Sequence, residues 1–200
     1  RRQRENNLFN PPKKFDVRVG IMRDNAFTFY YQDVIDALAA NSRKITFIDA
    51  FKDEKLPDVD ALYIGGGFPE VFAEELESNE SLKGDVREFC DSGKPVYAEC
   101  GGLMYLGERL ITKDGRSYEM AGFLPLDTKM MERLQALGYS RRTAIMDNPI
   151  SRRGDALVGH EFHYSRVTLK DKVKYAYKTT RGRGVDGEHD GILKKNTLAG

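Results

Sequence analysis

The stretch Lys94-Pro-Val-Tyr-Ala-Glu-Cys-Gly-Gly-Leu-Met-Tyr-Leu106 constrains the fold more than any other. Pro95 to Ala98 is a short apolar run that ends at Glu99-Cys100, and two glycines follow. Leu103, Leu106 and Leu110 then recur at helical spacing. The pattern predicts strand, tight turn and helix, with a cysteine at the apex. A nucleophile on such an elbow stands clear of the backbone, with the amide of Gly101 beside it as an oxyanion donor. The positive end of the helix points at the sulfur, so the thiol pKa is expected to fall below the value of about 8.5 in free cysteine. The competing reading is a buried structural cysteine at a turn between strand and helix.

The flanking sequence extends this pattern into a layered fold. Val17 to Met22 reads as a buried parallel strand, followed by the aromatic loop Arg23-Asp-Asn-Ala-Phe-Thr-Phe-Tyr-Tyr31. That loop either packs its rings on the core or offers a substrate or interface surface, since open α/β sheets bind ligands at the carboxyl ends of their strands. Val34, Ile35, Leu38 and Ala39 give a helical face, and Ile45 to Ile48 a second strand. Asp58 to Ile64 is a third, running into Gly65-Gly-Gly-Phe-Pro-Glu70. Glycines at a strand end let the backbone approach a ligand with its amides free, but alone they are a weak signal that a tight turn explains more cheaply. No Gly-Lys-Ser/Thr follows, so this is not a phosphate loop.

Ser78 or Asn79 caps a helix whose face is Leu82, Val86, Phe89 and Cys90, ended by Gly93. Cys90 is therefore expected in the core. Beyond Leu110 the rhythm changes to a turn at Thr112–Arg116 and strands at Tyr118–Leu126, Tyr139–Met146, Ala156–Leu169 and Val173–Tyr177. Met130–Gly138 reads as a short helix or an irregular crossing, and Gly182–Gly191 as a mobile loop. The first half implies a parallel sheet with helices on both faces, to which the second half adds mostly antiparallel strands.

Thirty-two Lys and Arg against 31 Asp and Glu leave a net charge of +1, which implies no general grip on nucleic acid or an anionic membrane. No apolar run approaches the roughly 20 residues of a membrane span. Two cysteines without metal spacing point to a reducing cytoplasm and to no metal site. Arg1 to Phe15, polar and carrying Pro11-Pro12, reads as an interdomain linker, with one domain over residues 16–200.

Gly65-Gly-Gly-Phe-Pro-Glu70 and Ala98-Glu-Cys-Gly-Gly-Leu-Met-Tyr-Leu106 lie on successive strand ends. Together with Arg23–Tyr31 and Gly159-His-Glu-Phe-His-Tyr-Ser165, they make the chain resemble class I glutamine amidotransferase domains. More narrowly, it is similar to the carboxyl-terminal glutaminase domain of cobyrinic acid a,c-diamide synthases. The resemblance implies a flavodoxin-like α/β fold in which Cys100 attacks the side-chain amide of glutamine, forming a γ-glutamyl thioester and releasing ammonia. Amides of the turn Gly65–Gly67 (Gly66 and Gly67 foremost) and of Gly101 would stabilise the oxyanion.

Glu99 would bind the glutamine amino group or stabilise the elbow. His163 and His160 are candidate supporting residues, as wall or substitute base. Glu161 could orient a histidine, while His189 is expected in solvent. The resemblance places the family's catalytic histidine just after a phrase like Lys195-Asn-Thr-Leu-Ala199, a few residues beyond Gly200.

In the whole enzyme, the resemblance implies an amino-terminal domain that binds ATP and Mg2+ and a cobyrinic acid-like tetrapyrrole. Its a and c acetates become amides; this chain itself carries no cofactor. The same chemistry on nickel sirohydrochlorin in the coenzyme F430 route, an inactive glutaminase-like scaffold and a free-standing thiol hydrolase are alternatives. A homodimer is left open.

Overall fold

A computed structural model describes residues 14–200. Most of the expected linker therefore lies outside the described residues. In chain order the elements are strands β1 (Phe15–Met22) and β2 (Phe27–Phe29), helix α1 (Gln32–Asn41), and strands β3 (Ser42–Ile48), β4 (Ala61–Ile64) and β5 (Gly66–Gly67). A 3-10 turn (Pro69–Val71) precedes helices α2 (Ala73–Ser78) and α3 (Glu80–Asp91), strand β6 (Val96–Ala98) and helix α4 (Gly101–Leu106). The second half is all strand: β7 (Arg109–Ile111), β8 (Ser117–Glu119), β9 (Leu126–Met130), β10 (Ala136–Ala144) and β11 (Ala156–His163). Then come β12 (Ser165–Leu169), β13 (Lys174–Arg181), β14 (His189–Lys194) and β15 (Thr197–Ala199).

The main sheet has nine strands in the order β11-β10-β13-β14-β15-β6-β4-β1-β3. From β3 to β15 neighbours pair in parallel. Counted along the chain, those five strands run in the order 2-1-3-4-5, the flavodoxin-like arrangement. From β15 outward to β11 every pairing is antiparallel. A four-stranded sheet, β12-β9-β7-β8, packs beside it.

Alternate residues of the parallel strands face opposite layers, as the pleat requires. Leu62, Ile64, Val96 and Ala98 join the main core with Leu82, Val86, Phe89 and Cys90 of α3. Val19, Ile21 and Tyr63 meet Ile35 of α1 on the other face. Asn79 caps α3 as predicted, its side-chain oxygen accepting the Leu82 amide at 3.2 Å. Among the described residues no helix is long and apolar enough to cross a membrane.

Several expectations change in detail. Leu110 lies not on the elbow helix but in β7, because α4 closes at Leu106 where the Gly107 amide donates to the Leu103 and Met104 carbonyls. The segment Tyr118–Leu126 is two strand ends with an irregular link between them. Ala156–Leu169 is split at Tyr164, so that β11 and β12 serve different sheets. Met130–Gly138 holds no helix.

Gly182–Gly191 is a pinned connection rather than a free loop. The Glu161 carboxylate accepts the amides of Arg183 at 2.8 Å and Gly184 at 2.9 Å, and His189–Gly191 already belongs to β14.

Candidate active site

The site is built where β6 runs out. The Glu99 amide donates to the Ile64 carbonyl on β4 at 2.9 Å, and the Cys100 amide to the Gly200 carbonyl beyond β15 at 2.8 Å. Both neighbouring strands therefore hold the turn. Cys100 is bent to φ 49°, ψ −101°, a region a residue with a Cβ enters at a cost of about 1–3 kcal/mol. Helix α4 starts at the next residue. The predicted strand, turn and helix are all present.

The glycines on either side are required by contact. A Cβ on Gly102 would stand 2.4 Å from the Ile64 carbonyl oxygen, and one on Gly67 only 2.0 Å from that of Ala26. Two backbones thus approach as no side chain would allow. β5 pairs with β2, Gly66 opposite Phe29 and Gly67 opposite Phe27, so the aromatic loop forms one wall of the turn. The backbone amides of Gly101 and Gly67 lie near enough to the cysteine sulfur to favour its charged form. The Gly65 amide does not join them: it donates to the Tyr30 hydroxyl at 2.8 Å, and that hydroxyl donates to the Met22 carbonyl.

The aromatic loop divides its rings. Phe27 is fully buried against Tyr105, with ring centroids 5.5 Å apart. Phe29 and Phe68 meet edge-to-face at 5.0 Å and remain about half exposed, at 48% and 45%. Asp24 shapes the loop by accepting the amides of Ala26 at 2.7 Å, Phe27 at 3.1 Å and Ala50 at 2.8 Å. The Asp-Asn-Ala sequence was the available signal for such a turn.

Electrostatics at the sulfur reverse the expectation of a lowered thiol pKa. Burial pushes the Cys100 thiol up, as do the charges of Glu70 and Glu99, and the two amides offset this only in part. A helix of six residues does not outweigh the loss of solvent. Cys90 is fully buried on α3 as predicted, and burial drives its thiol up to about 11.

Glu99 stabilises the elbow. Its two oxygens accept the hydroxyls of Tyr63 and Tyr97, each at 2.6 Å. Burial, reinforced by the Glu99 charge, raises both phenols, so they remain donors. Tyr63 and Tyr97 are register partners on β4 and β6 with rings stacked at 5.5 Å. This clamp is not legible in the sequence, because the pairing of β4 with β6 is a tertiary fact.

The histidines do not gather at Cys100. His160 and His163 lie on the edge strand β11, with four strands between it and β6. His160 is exposed, and His163 donates from Nδ1 to the Ser165 carbonyl at 2.9 Å. His189, expected in solvent, is half-buried in β14, stacked on Tyr175 and paired with Asp186 at 3.1 Å. Glu161 orients no histidine; it pairs with Arg142 at 2.8 Å.

Among the described residues no cluster of three or more His, Cys, Asp or Glu forms a cation site. No glycine turn in the chain carries the Lys-Ser/Thr that cradles a nucleotide phosphate.

Known proteins share the fold. The fold matches a PurLQS structure from Thermotoga maritima with a TM-score of 0.67 at 16% identity, over 92% of this chain and 85% of that one. A glutamine amidotransferase of the same organism aligns with a TM-score of 0.58 at 15% identity, over 92% of this chain and 74% of that one. In sequence, the chain is 57% identical to cobyrinate a,c-diamide synthase of Archaeoglobus fulgidus over 93% of its own length and 40% of the relative's. The synthase of the same name from Methanothermobacter thermautotrophicus is 47% identical over 92% and 40%. The chain thus spans about two fifths of the length of these curated relatives. The CobB/CobQ-like glutamine amidotransferase domain matches residues 18–200, and the chain belongs to that family.

Proposed function

We propose that this chain is the glutaminase domain of an ATP-dependent, glutamine-using tetrapyrrole amidase, with Cys100 as its nucleophile. The observation that carries the reading is the strained Cys100 turn with two backbone amides converging on its sulfur. The Cys100 sulfur attacks the side-chain carbonyl carbon of glutamine, and the carbonyl oxygen takes the electron pair. The amides of Gly67 and Gly101, which favour negative charge at the sulfur, hold that oxyanion beside it. The carbon–nitrogen bond then breaks, ammonia leaves with an added proton, and a γ-glutamyl thioester remains for water to hydrolyse.

A thiol raised by burial needs a base. The Gly200 carbonyl accepts the Cys100 amide, so a residue following Gly200 in a longer chain starts beside the nucleophile. That supports the family's histidine in this role. The names of the relatives, at up to 57% identity, favour cobyrinate over nickel sirohydrochlorin as the amidated tetrapyrrole. On this reading, ATP and Mg2+ act in a segment of the longer protein outside this sequence, in the cytoplasm, and no step here runs through them.

The test is Cys100→Ala in the full-length protein. Glutamine-dependent amidation falls to background while free ammonia still supports it; retained glutamine-dependent activity rejects the reading. The scaffold reading draws on the raised thiol and on the placement of the described histidines away from Cys100. It predicts that wild-type full-length protein uses ammonia alone.

A further inference from the structure

The antiparallel edge of the main sheet turns an apolar face to solvent. On β10 and β11, Leu137 is the register partner of Phe162, Tyr139 of His160 and Arg141 of Val158. Directly opposed residues share one face of a sheet. Leu137, Tyr139 and Val158 are 71–72% exposed, and Phe162 is 48% exposed. Large apolar side chains gathered on one face, rather than scattered singly, mark a contact surface. The face is braced from behind: the Phe162 ring meets Tyr164 edge-on at 6.0 Å, and Tyr164 packs against the main core.

The fixed charges on this face have one sign. The register shift after Arg141 sets it opposite Arg181 of β13, and both side chains are exposed. Like charges directly opposed across a sheet are destabilising. Neither guanidinium has an ion-pair partner among the described residues. No Asp or Glu stands at an outward position of β10 or β11, since Glu161 is buried on the opposite face against Arg142. Two adjacent guanidiniums beside an apolar surface call for an anion with an apolar body.

Size selects the class of partner. From Leu137 to Arg141 the face is about 14 Å long, and three strands make it about 10 Å wide. That is well short of the roughly 800 Å² per partner of a stable protein interface. A second copy docked face to face would also add two guanidiniums to two already unpaired. One side of a ring-sized ligand fits better. Tyr139 and Phe162 offer flat apolar surface, and each guanidinium can hold a carboxylate by two parallel hydrogen bonds.

We infer that this face of β10, β11 and β13 holds a flat macrocycle with carboxylates at its rim, the rings on Tyr139 and Phe162 and two carboxylates on Arg141 and Arg181. This rests on the reading of the chain as part of a tetrapyrrole amidase and deepens it: the glutaminase domain also grips the acceptor substrate. β13 and β11 lie three and five strands from β6, so the face is roughly 14–24 Å across the sheet from Cys100. Binding there leaves the nucleophile open to glutamine.

The experiment is equilibrium binding to the full-length protein, followed by the ligand's visible absorbance. The probes are cobyrinate and its fully methyl-esterified form, which keeps the ring and loses the charges. Wild type binds the acid about a hundredfold or more tighter than the ester, the worth of two charged contacts. Arg141→Gln and Arg181→Gln each weaken the acid by about tenfold and leave the ester unchanged. Tyr139→Ser weakens acid and ester alike, by about fivefold or more. The melting temperature of the arginine variants does not fall, because each removes one of two opposed like charges.

Acid binding that is unchanged in both arginine variants, or acid and ester weakened equally by them, overturns the inference and leaves the glutaminase reading standing. A change from dimer to monomer in those variants, with ligand binding intact, overturns it in favour of a second copy. Wild type that binds neither probe overturns this inference and the tetrapyrrole reading together; the glutaminase reading falls only to the Cys100→Ala test.

Discussion

At the Cys100 turn the donors aimed at sulfur are the backbone amides of Gly67 and Gly101, which carry no net charge. In the antiparallel half, Glu161 and Asp190 are almost fully buried and meet a full charge, the guanidinium of Arg142. Both places stabilise negative charge away from water, by different means. Two carboxyl groups at 8% and 7% side-chain exposure need a counter-ion, and burial still pushes the Asp190 carboxyl up. A sulfur whose charge comes and goes with its proton is better served by fixed dipoles, which do not pin it as an ion before substrate arrives. Damage to the first region should therefore appear in turnover, and damage to the second in folding.

The sharpest way to break that contrast is Arg142→Leu. It strands two buried carboxylates and should cost about 3–5 kcal/mol in a urea titration. A loss under 1 kcal/mol would mean that the cluster is hydrated and the contrast wrong. Gly67→Ala is the matching lesion at the turn. The added Cβ meets the Ala26 carbonyl and moves the Gly67 amide, so glutamine hydrolysis in the full-length protein should fall about a hundredfold or more. The fold should remain, which a circular dichroism melt would establish.

A smaller effect separates strain from chemistry. Cys100→Gly releases the positive φ and should raise stability by about 1 kcal/mol while abolishing turnover. A lower melting temperature would show that the side chain's packing, not its strain, dominates.

The smallest expected difference lies in thiol reactivity with iodoacetamide. Because burial raises both thiols, alkylation should be slow near pH 7 and quicken with pH through a midpoint above the ordinary cysteine value. Cys100 should react first in the folded chain and Cys90, fully buried, only on unfolding. Cys100 labelling at pH 7 faster than free cysteine would reinstate the lowered thiol.

Much of the turn was legible because its chemistry is local. Glycine at 65–67 and 101–102, an apolar run ahead of Glu99-Cys100 and helical spacing after it specify strand, bend and helix within a dozen residues. Asn79 as a cap and Cys90 on the core face were readable for the same reason. The second half was harder. Ala156–Leu169 reads as one strand because both of its parts are β-prone, and only the packing of Tyr164 into the core divides them between sheets. The histidines of Gly159–Ser165 read as wall residues or a substitute base, yet β11 pairs with β10 at the edge of the sheet.

Sequence alone determined the parallel α/β half, the cysteine at its elbow and the core position of Cys90, since hydrophobic period and glycine placement act over a few residues. Tertiary structure decided which groups share the space around the sulfur. The register of β4 with β6 brings Tyr63 and Tyr97 onto Glu99. The seating of Pro69 on Gly101 packs the Gly65–Glu70 turn against the elbow. Burial, a property of the whole packed chain, reversed the expected direction of the Cys100 thiol. A short helix's field is read along the chain, whereas desolvation depends on everything that surrounds the group.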